Sequence, residues 1–339
     1  MKQFIFGILT YNQENYVLET LESIKYQKIH YGSDVNVSLV ITDDASKDGT
    51  VAVMKAWLEE NKSYFDKIDL IANEKNRGYF DKIDLIANEK NKGTVANFKT
   101  ILSKVSDEHL KIIAGDDLIG HKNVFVEYET LDDKKLKTYV RVELCEGKVY
   151  YREKFLIDFY YHKKYGTGRN YNIKTFRRGK YVHTPSTLYT KQLFVNAECE
   201  KNLDGYHLFE DDPMWYSMIK NEEELTIEFV QQGMILYRVH NQSVSNAPNQ
   251  VFAKDMKKLR EQYLKDTKGL EHLYLVIRMK TSGWPLYVNP GQYLYKFMNM
   301  KRERICKKDP GYQAFKDKIE QQIKEEQKFY DVIMAELSK

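Results

Sequence analysis

Cysteine is scarce in this chain of 339 residues: only Cys145, Cys199 and Cys306 occur, odd in number and far apart. That spacing excludes a disulfide framework and a thiolate metal site, and it predicts a reducing compartment. Long apolar runs are missing too, so no segment is expected to span a bilayer. The N-terminus passes after Lys2 into a strand pattern without a signal-peptide layout, which predicts a cytoplasmic protein. Charge of one sign is also lacking. The formal net charge is +4, too small to predict a nucleic-acid partner without a basic motif, though compatible with a phosphate-bearing ligand or an anionic membrane surface. No Gly-x-Gly-x-x-Gly follows the first apolar run, which excludes the dinucleotide fingerprint of dehydrogenases.

What the chain has in quantity is tyrosine, 26 residues. Tyrosine combines flat apolar area with a polar tip, and suits both sugar or base binding and ordinary half-buried surface. The apolar pattern then alternates between two periods. FIFGILTYN (4–12) and VNVSLVITDD (35–44) read as buried strands, and HLKIIAGDD (109–117) as another. Between them Val17, Leu21 and Ile24 fall at helical spacing, as do Val51, Met54 and Leu58, and then Val95, Phe98, Leu102 and Val105. Strand alternating with helix predicts an α/β fold with a mostly parallel, Rossmann-like central sheet covered by helices. In such sheets ligands bind beyond the carboxyl ends of the strands. Tyr11 with Asn12, Asp43 with Asp44, and Asp116 with Asp117 all fall at such ends.

Residues 64–78 and 79–93 are near-identical copies of YFDKIDLIANEKN(R/K)G, differing only at Arg77 and Lys92. Two copies are too few for a solenoid. The second runs straight into the helix bearing Asn97 and is expected to supply the third strand of the sheet, with the first as an edge strand or loop. Downstream, residues 136–155 predict a hairpin, and residues 181–194 a short strand. FEDDPMWYSMIK (209–220) predicts a loop opening a helix, with Asp212 as cap and Pro213 in the first turn. Residues 224–240 predict a strand pair ending at His240. From about Pro248 the chain becomes helical and charged, and residues 313–337 form an amphipathic pattern suited to packing on the main domain or a partner.

Each acidic pair alone is ambiguous. Two adjacent carboxylates at a strand end can hold a hard divalent cation together with phosphate oxygens, or can simply be a solvated turn. Acids such as Glu210, Asp211 and Asp212 at a helix start are also ordinary capping chemistry, and His240 can be a ligand or a core residue. Their order is more specific. ILTYNQENYVLETLESI, ITDDASKDGT, NKGTVANF, IIAGDD, FEDDPMWYSMI and YRVHNQSVSN together resemble the family 2 glycosyltransferases over about residues 3–245.

That resemblance implies a GT-A nucleotide-sugar-dependent domain over residues 1–247, with a basic helical C-terminal extension over 248–339. It implies a UDP-sugar donor, Mn2+ or Mg2+, and inverting transfer to a saccharide hydroxyl, such as a lipid-linked oligosaccharide in bacterial capsule or O-antigen synthesis. Tyr11 would lie against the nucleobase, with Asn12 beside it among the donor-binding residues. Asp44 would hydrogen-bond the base, with Asp43 alongside. Lys92 and Gly93 would approach the donor. Asp117 would bind the metal, with Asp116 on the metal, sugar or ribose and His240 on metal and diphosphate. Arg238 would reach the same pocket, two residues from His240 on one strand face. Asp211 would be the catalytic base. The chain departs from the longer acidic motif at Ala114. A nucleotidyltransferase is disfavoured because TYNQEN stands where a glycine- and arginine-rich phosphate loop belongs. A non-catalytic nucleotide- or carbohydrate-binding protein is the alternative, since the repeat borders the donor loop. Residues 272–308 mix aromatics with Lys and Arg, and fit either packing on the catalytic domain or peripheral contact with anionic lipid.

Overall fold

The computed structural model describes residues 2–71, 83–85, 90–105, 109–166, 168–178, 182–240, 250–281, 284–285 and 288–339. In chain order the elements are β1 (Lys2–Thr10), α1 (Val17–Tyr31), β2 (Val35–Asp43), α2 (Thr50–Asn61), β3 (Lys67–Ile71), β4 (Ile83–Leu85), α3 (Thr94–Ser103), β5 (His109–Ala114), β6 (Leu118–Ile119) and α4 (Val124–Glu129). They continue as β7 (Lys135–Cys145), β8 (Lys148–Tyr150), α5 (Glu153–Tyr165), α6 (Arg169–Arg178), β9 (Thr187–Leu188), α7 (Lys191–Asn196), α8 (Cys199–Asn202), α9 (Asp211–Asn221) and β10 (Thr226–Arg238). Four helices close the chain: α10 (Gln250–Lys265), α11 (Gly269–Lys280), α12 (Pro290–Lys307) and α13 (Pro310–Leu337).

One sheet is parallel throughout, in the order β4-β3-β2-β1-β5. Its central strands are rich in β-branched and aromatic residues, which suit a surface buried on both faces. Phe4, Phe6, Ile8, Leu39 and Ile41 pack against Val17, Leu21 and Ile24 of α1 and Met54 and Leu58 of α2. On the other face Ile5 and Val40 meet Val95, Phe98, Ile101 and Leu102 of α3. The register aligns Thr10 with Asp43, and Leu9 with Ala114. Strand ends β1, β2 and β5 therefore share one rim.

The repeated segment divides differently from the expectation. The first copy supplies β3, which pairs with β2, and the second supplies β4, the outer edge. The copies have the same propensity, but the first follows α2 by a short connection and docks first on β2. The parts of the two copies at residues 72–82 and 86–89 lie outside the described residues.

The second sheet is mixed, in the order β6-β10-β7-β8, with β9 on β7. The expected hairpin is β7–β8, turning at Glu146 and Gly147 with φ of 49° and 75°, the two positive angles that a two-residue turn requires. The expected strand pair before His240 is instead one strand, β10. It bends at two register shifts around Gly233 instead of reversing. A Cβ at Gly233 would sit 2.5 Å from Val142 Cγ2, so the glycine permits the close approach of β10 to β7. Gln322 of α13 brackets the same glycine, accepting from its N–H at 3.1 Å and donating to its carbonyl at 3.2 Å.

The C-terminal extension is helical: α13 packs on β8 and β10 of the second sheet, whereas α10 and α11 pack with α6 and α9. Its longest helix, α13, buries Tyr312, Phe315, Ile319, Gln322, Glu326, Phe329 and Ile333 at spacings of three and four, the stripe that its sequence pattern predicts. Glu326 is fully buried on the same face and accepts from the His121 N–H at 3.1 Å. None of the described helices is long and apolar enough to cross a membrane.

Candidate functional site

The rim of the parallel sheet is shaped by its own polar residues. Asn12, just past β1, takes the left-handed conformation with φ of 51°, which asparagine tolerates better than most residues. Its N–H donates to Ser46 Oγ at 2.8 Å and its side-chain oxygen accepts from the Lys47 N–H at 2.8 Å. Tyr11 beside it leaves its ring 43% exposed on the rim. Asp43 is wholly buried, and Thr10 Oγ1, the Ser46 N–H and Ser46 Oγ all donate to it at 2.5–2.9 Å. Burial pushes its carboxyl above the usual range; the Ser46 and Thr10 hydrogen bonds oppose this and the neighbouring Asp44 adds to it. Asp43 is thus the anchor of the turn after β2.

Asp44 reaches sideways. Its two oxygens accept the N–H groups of Lys92 and Gly93 at 2.8 and 3.1 Å. Gly93 needs its lack of a side chain: its φ is 83°, and a Cβ would lie 2.4 Å from the His207 carbonyl. The next amide but one, on Val95, donates to that same carbonyl at 3.1 Å. Asp44 and His207 therefore grip the start of α3 from two sides.

At the end of β5 the second pair behaves differently. Asp116 Oδ2 lies 2.8 Å from His240 Nε2. Asp117 is 1% exposed, and its Oδ1 accepts the Arg238 N–H at 2.8 Å. Its Oδ2 is buried with no hydrogen-bond partner among the described residues. Burial, and then the negative charge of Asp116, hold the Asp117 carboxyl well above the usual range, against the pull of Arg238 and Lys111. Arg238 donates from Nε to the Asp116 carbonyl at 2.8 Å, pairs through Nη2 with Glu19, and lies 4.7 Å from the Tyr16 ring centroid. Tyr16 in turn lies 5.0 Å from the His240 ring. The strand-end acids, Arg238 and His240 thus form one cluster.

Asp211 opens α9. Its Oδ2 accepts from Thr184 Oγ1 at 3.0 Å and its Oδ1 from the Asp212 N–H at 2.7 Å. Glu210, rather than the expected Asp212, occupies the N-cap position. Asp212 sits inside the first turn, where an acid still opposes the positive helix end. Thr184 lies in the 3-10 turn Thr184–Ser186, and this turn ties Asp211 to β5 and β10. Lys111 of β5 donates to the Pro185 carbonyl at 2.6 Å, and His183 packs edge-on to Tyr237 of β10 at 5.0 Å. Burial pushes the Lys111 ammonium down to about 7, with Asp117 opposing the shift.

Several of these residues gave no signal in the sequence. Glu19, Tyr16 and Thr184 meet the site across 27 to more than 200 positions of chain. Asp255 of α10 is the clearest case. Its Oδ2 accepts the N–H groups of His207, Leu208 and Phe209 at 2.8–3.1 Å. A carboxylate from the C-terminal helices therefore holds the loop that leads into Asp211. The serines of the expected closing element YRVHNQSVSN lie outside the described residues.

Among the described residues no three His, Cys, Asp or Glu side chains form a group arranged to hold a metal ion. Asp116 and His240 come together, whereas Asp117 turns its carboxylate toward the Arg238 amide. This donor set fits a hard cation of the kind that takes one or two side chains and completes its shell with substrate phosphates and water. Asp117 Oδ2 is buried without a partner among the described residues.

A parallel sheet with carboxylates from two strand ends on one rim places them where open α/β sheets bind their ligands. The chain matches the model of glycosyl transferase family 2 over residues 6–178, more than half its length, and it belongs to that family. No curated protein matches it. Among solved structures, TarS 1-349 of S. aureus in complex with UDP-GlcNAc is similar at 14% identity with a TM-score of 0.54, covering 98% of this chain and 91% of that one. Unliganded TarS 1-349 gives 15% identity and a TM-score of 0.50 over 98% and 90%. The mannosyltransferase PcManGT from Pyrobaculum calidifontis, in complex with GDP-Man and Mn2+, has 16% identity and a TM-score of 0.48 over 78% and 65%. At these identities the likeness is one of fold.

Proposed function

We propose that this glycosyltransferase moves a sugar, with inversion, from a UDP-sugar to a hydroxyl of a saccharide acceptor, with Asp211 as general base. The observation that carries this reading is the linkage of the half-buried Asp211 through Thr184–Ser186 to Lys111 within β5 and, beside His183, to Tyr237 near the end of β10, the two strands that lead into Asp116 and His240.

The exposed Tyr11 ring offers a face for the uracil. Each Asp44 oxygen already accepts one amide, and a carboxylate oxygen has capacity for a second hydrogen bond, so Asp44 can also receive a base N–H. Lys92 and Gly93, held by Asp44, line the approach. Arg238, fixed by Glu19 and the Asp116 carbonyl, contributes fixed positive charge beside the diphosphate position. Asp116 and His240 would hold Mn2+ or Mg2+, with Asp117 at the same end of β5. When bound, the ion would neutralise charge on the leaving diphosphate. Asp211 takes the proton of the acceptor hydroxyl, whose oxygen bonds to the anomeric carbon as the bond to the diphosphate breaks. Thr184 orients the carboxylate by donating to Oδ2.

For the acceptor we favour a lipid-linked oligosaccharide of bacterial surface polysaccharide, met from the cytoplasmic side at an anionic membrane. Helix α12 supports membrane contact: Tyr293, Leu294, Phe297 and Met300 are 45–65% exposed, beside exposed Lys296, Lys301 and Arg304. Aromatic and aliphatic groups flanked by cations suit a lipid headgroup boundary.

The test is nucleotide release from a panel of UDP-, GDP- and dTDP-sugars with and without Mn2+, using wild type and Asp211→Asn. The expected result is metal-dependent release from one UDP-sugar, and a loss of turnover of about 10²–10⁴-fold in the variant with UDP affinity kept. A variant with near-normal transfer removes Asp211 from the mechanism. Absence of nucleotide binding removes the donor site.

A further inference from the structure

Away from the rim, helices α6, α9, α10 and α11 line a partly open cavity of about 90 Å³. Three of its lining groups are guanidiniums, those of Arg177, Arg260 and Arg278, and its walls include Tyr263 and Leu259. Arg177 is fixed by Tyr216, donating from Nε to its hydroxyl at 2.9 Å, and by Glu271 at 3.6 Å. Arg278 donates to the Arg178 carbonyl and faces the Tyr295 ring at 5.5 Å; among the described residues no carboxylate pairs with it. Burial, and then repulsion from Arg278, depress the Arg260 pKa, with Tyr263 opposing. Like charges have been gathered in a partly desolvated space, which is costly unless an anion answers them.

The cavity adjoins the proposed base. Asp212 is one of its lining residues and follows Asp211 directly. Successive residues on a helix project about 100° apart, so one acid turns to Thr184 and the other to the arginines. The rim residues that would take the donor, Tyr11, Asp44 and Asp116, are not among the residues that line it.

We infer that this cavity is an acceptor subsite that binds a phosphate group carried by the acceptor saccharide. Arginine is the side chain suited to this, because its planar fork donates to two phosphate oxygens at once. A volume of this size accommodates several waters, or one phosphate group in their place. The inference rests on the transferase reading above. It adds that the acceptor is a phosphosaccharide, seated so that its hydroxyl meets Asp211 while its phosphate lies beyond Asp212.

Inorganic phosphate is the probe, titrated calorimetrically into the full chain with and without saturating UDP. One phosphate is expected to bind per chain in both conditions. Arg278→Gln is expected to lower that affinity by about tenfold or more, the loss of one charge-assisted hydrogen bond. Arg278→Lys should retain part of it, and UDP affinity should stay within about twofold in both variants, which also reports that they fold. In turnover assays phosphate should inhibit without raising the apparent KM for the donor. Phosphate that fails to bind, binds the variants as well as wild type, or is displaced by UDP overturns the subsite. Arginine-dependent phosphate binding without any donor turnover would leave the site standing and remove the transferase reading. Donor turnover without phosphate binding does the reverse.

Discussion

Two aspartate pairs flank β1, one at the end of β2 and one at the end of β5, and they are built to opposite specifications. At β2 every oxygen is answered: Asp43 by Thr10 and Ser46, Asp44 by the amides of Lys92 and Gly93. At β5 the partners come from 121 to 124 residues away, and Asp117 Oδ2 has none among the described residues. A satisfied buried carboxylate contributes to stability, whereas a buried oxygen left without a partner carries a desolvation cost. Such costs concentrate where a ligand completes the shell. The same two letters of sequence thus have all their oxygens answered at one strand end and leave one buried oxygen unanswered at the other.

This contrast can be broken by substitution. The largest effect is expected at β5: Asp117→Ala should weaken metal-dependent UDP binding by at least about tenfold, since it removes a carboxyl oxygen from the site, with a smaller loss of thermal stability from the Arg238 amide left without its acceptor. Calorimetry and a melting curve on the same sample check both halves, and unchanged UDP affinity would count against the assignment. At β2 the order should invert. Asp43→Ala removes a buried carboxylate and orphans its donors, so unfolding free energy should fall by about 3 kcal/mol, seen in chemical denaturation.

Asp255→Ala probes whether the C-terminal helices serve the site. It leaves three loop amides at residues 207–209 without their acceptor. The expected outcome is a stability loss of about 2 kcal/mol and slower turnover with donor affinity kept. Unaltered turnover would separate α10 from the positioning of Asp211. The smallest effect concerns Ala45, which follows Asp44 with φ of 68°. An L side chain in that region costs about 1 kcal/mol, which glycine avoids. Ala45→Gly should therefore stabilise the protein by up to that amount, read as a small rise in melting temperature; a fall would show that Ala45 packs in a way that outweighs its strain.

Much of the first half of the chain was legible before any coordinates. Val17, Leu21 and Ile24 at helical spacing, the buried runs of β1, β2 and β5, and polar residues at each strand end dictate a parallel sheet with a working rim, because buried strands and amphipathic helices leave few other ways to pack. The repeat was not legible in the same way. Two identical segments have identical propensities, and only docking against β2 made the first copy the inner strand and the second the edge. Residues 224–240 likewise hold two apolar stretches around Gly233, and whether the chain reversed or bulged there depended on Val142 and Gln322, neither of which is nearby in sequence. Glu19 on Arg238, Thr184 on Asp211, Asp255 on the loop at 207–209, and the three arginines of the α6–α11 cavity are meetings between distant positions. Local pattern records which face of an element is apolar. It carries no record of which remote polar group will stand opposite, because that is set by the packing of whole elements, and so the sheet and its rim belonged to the sequence while the partners of its charged groups belonged to the tertiary structure.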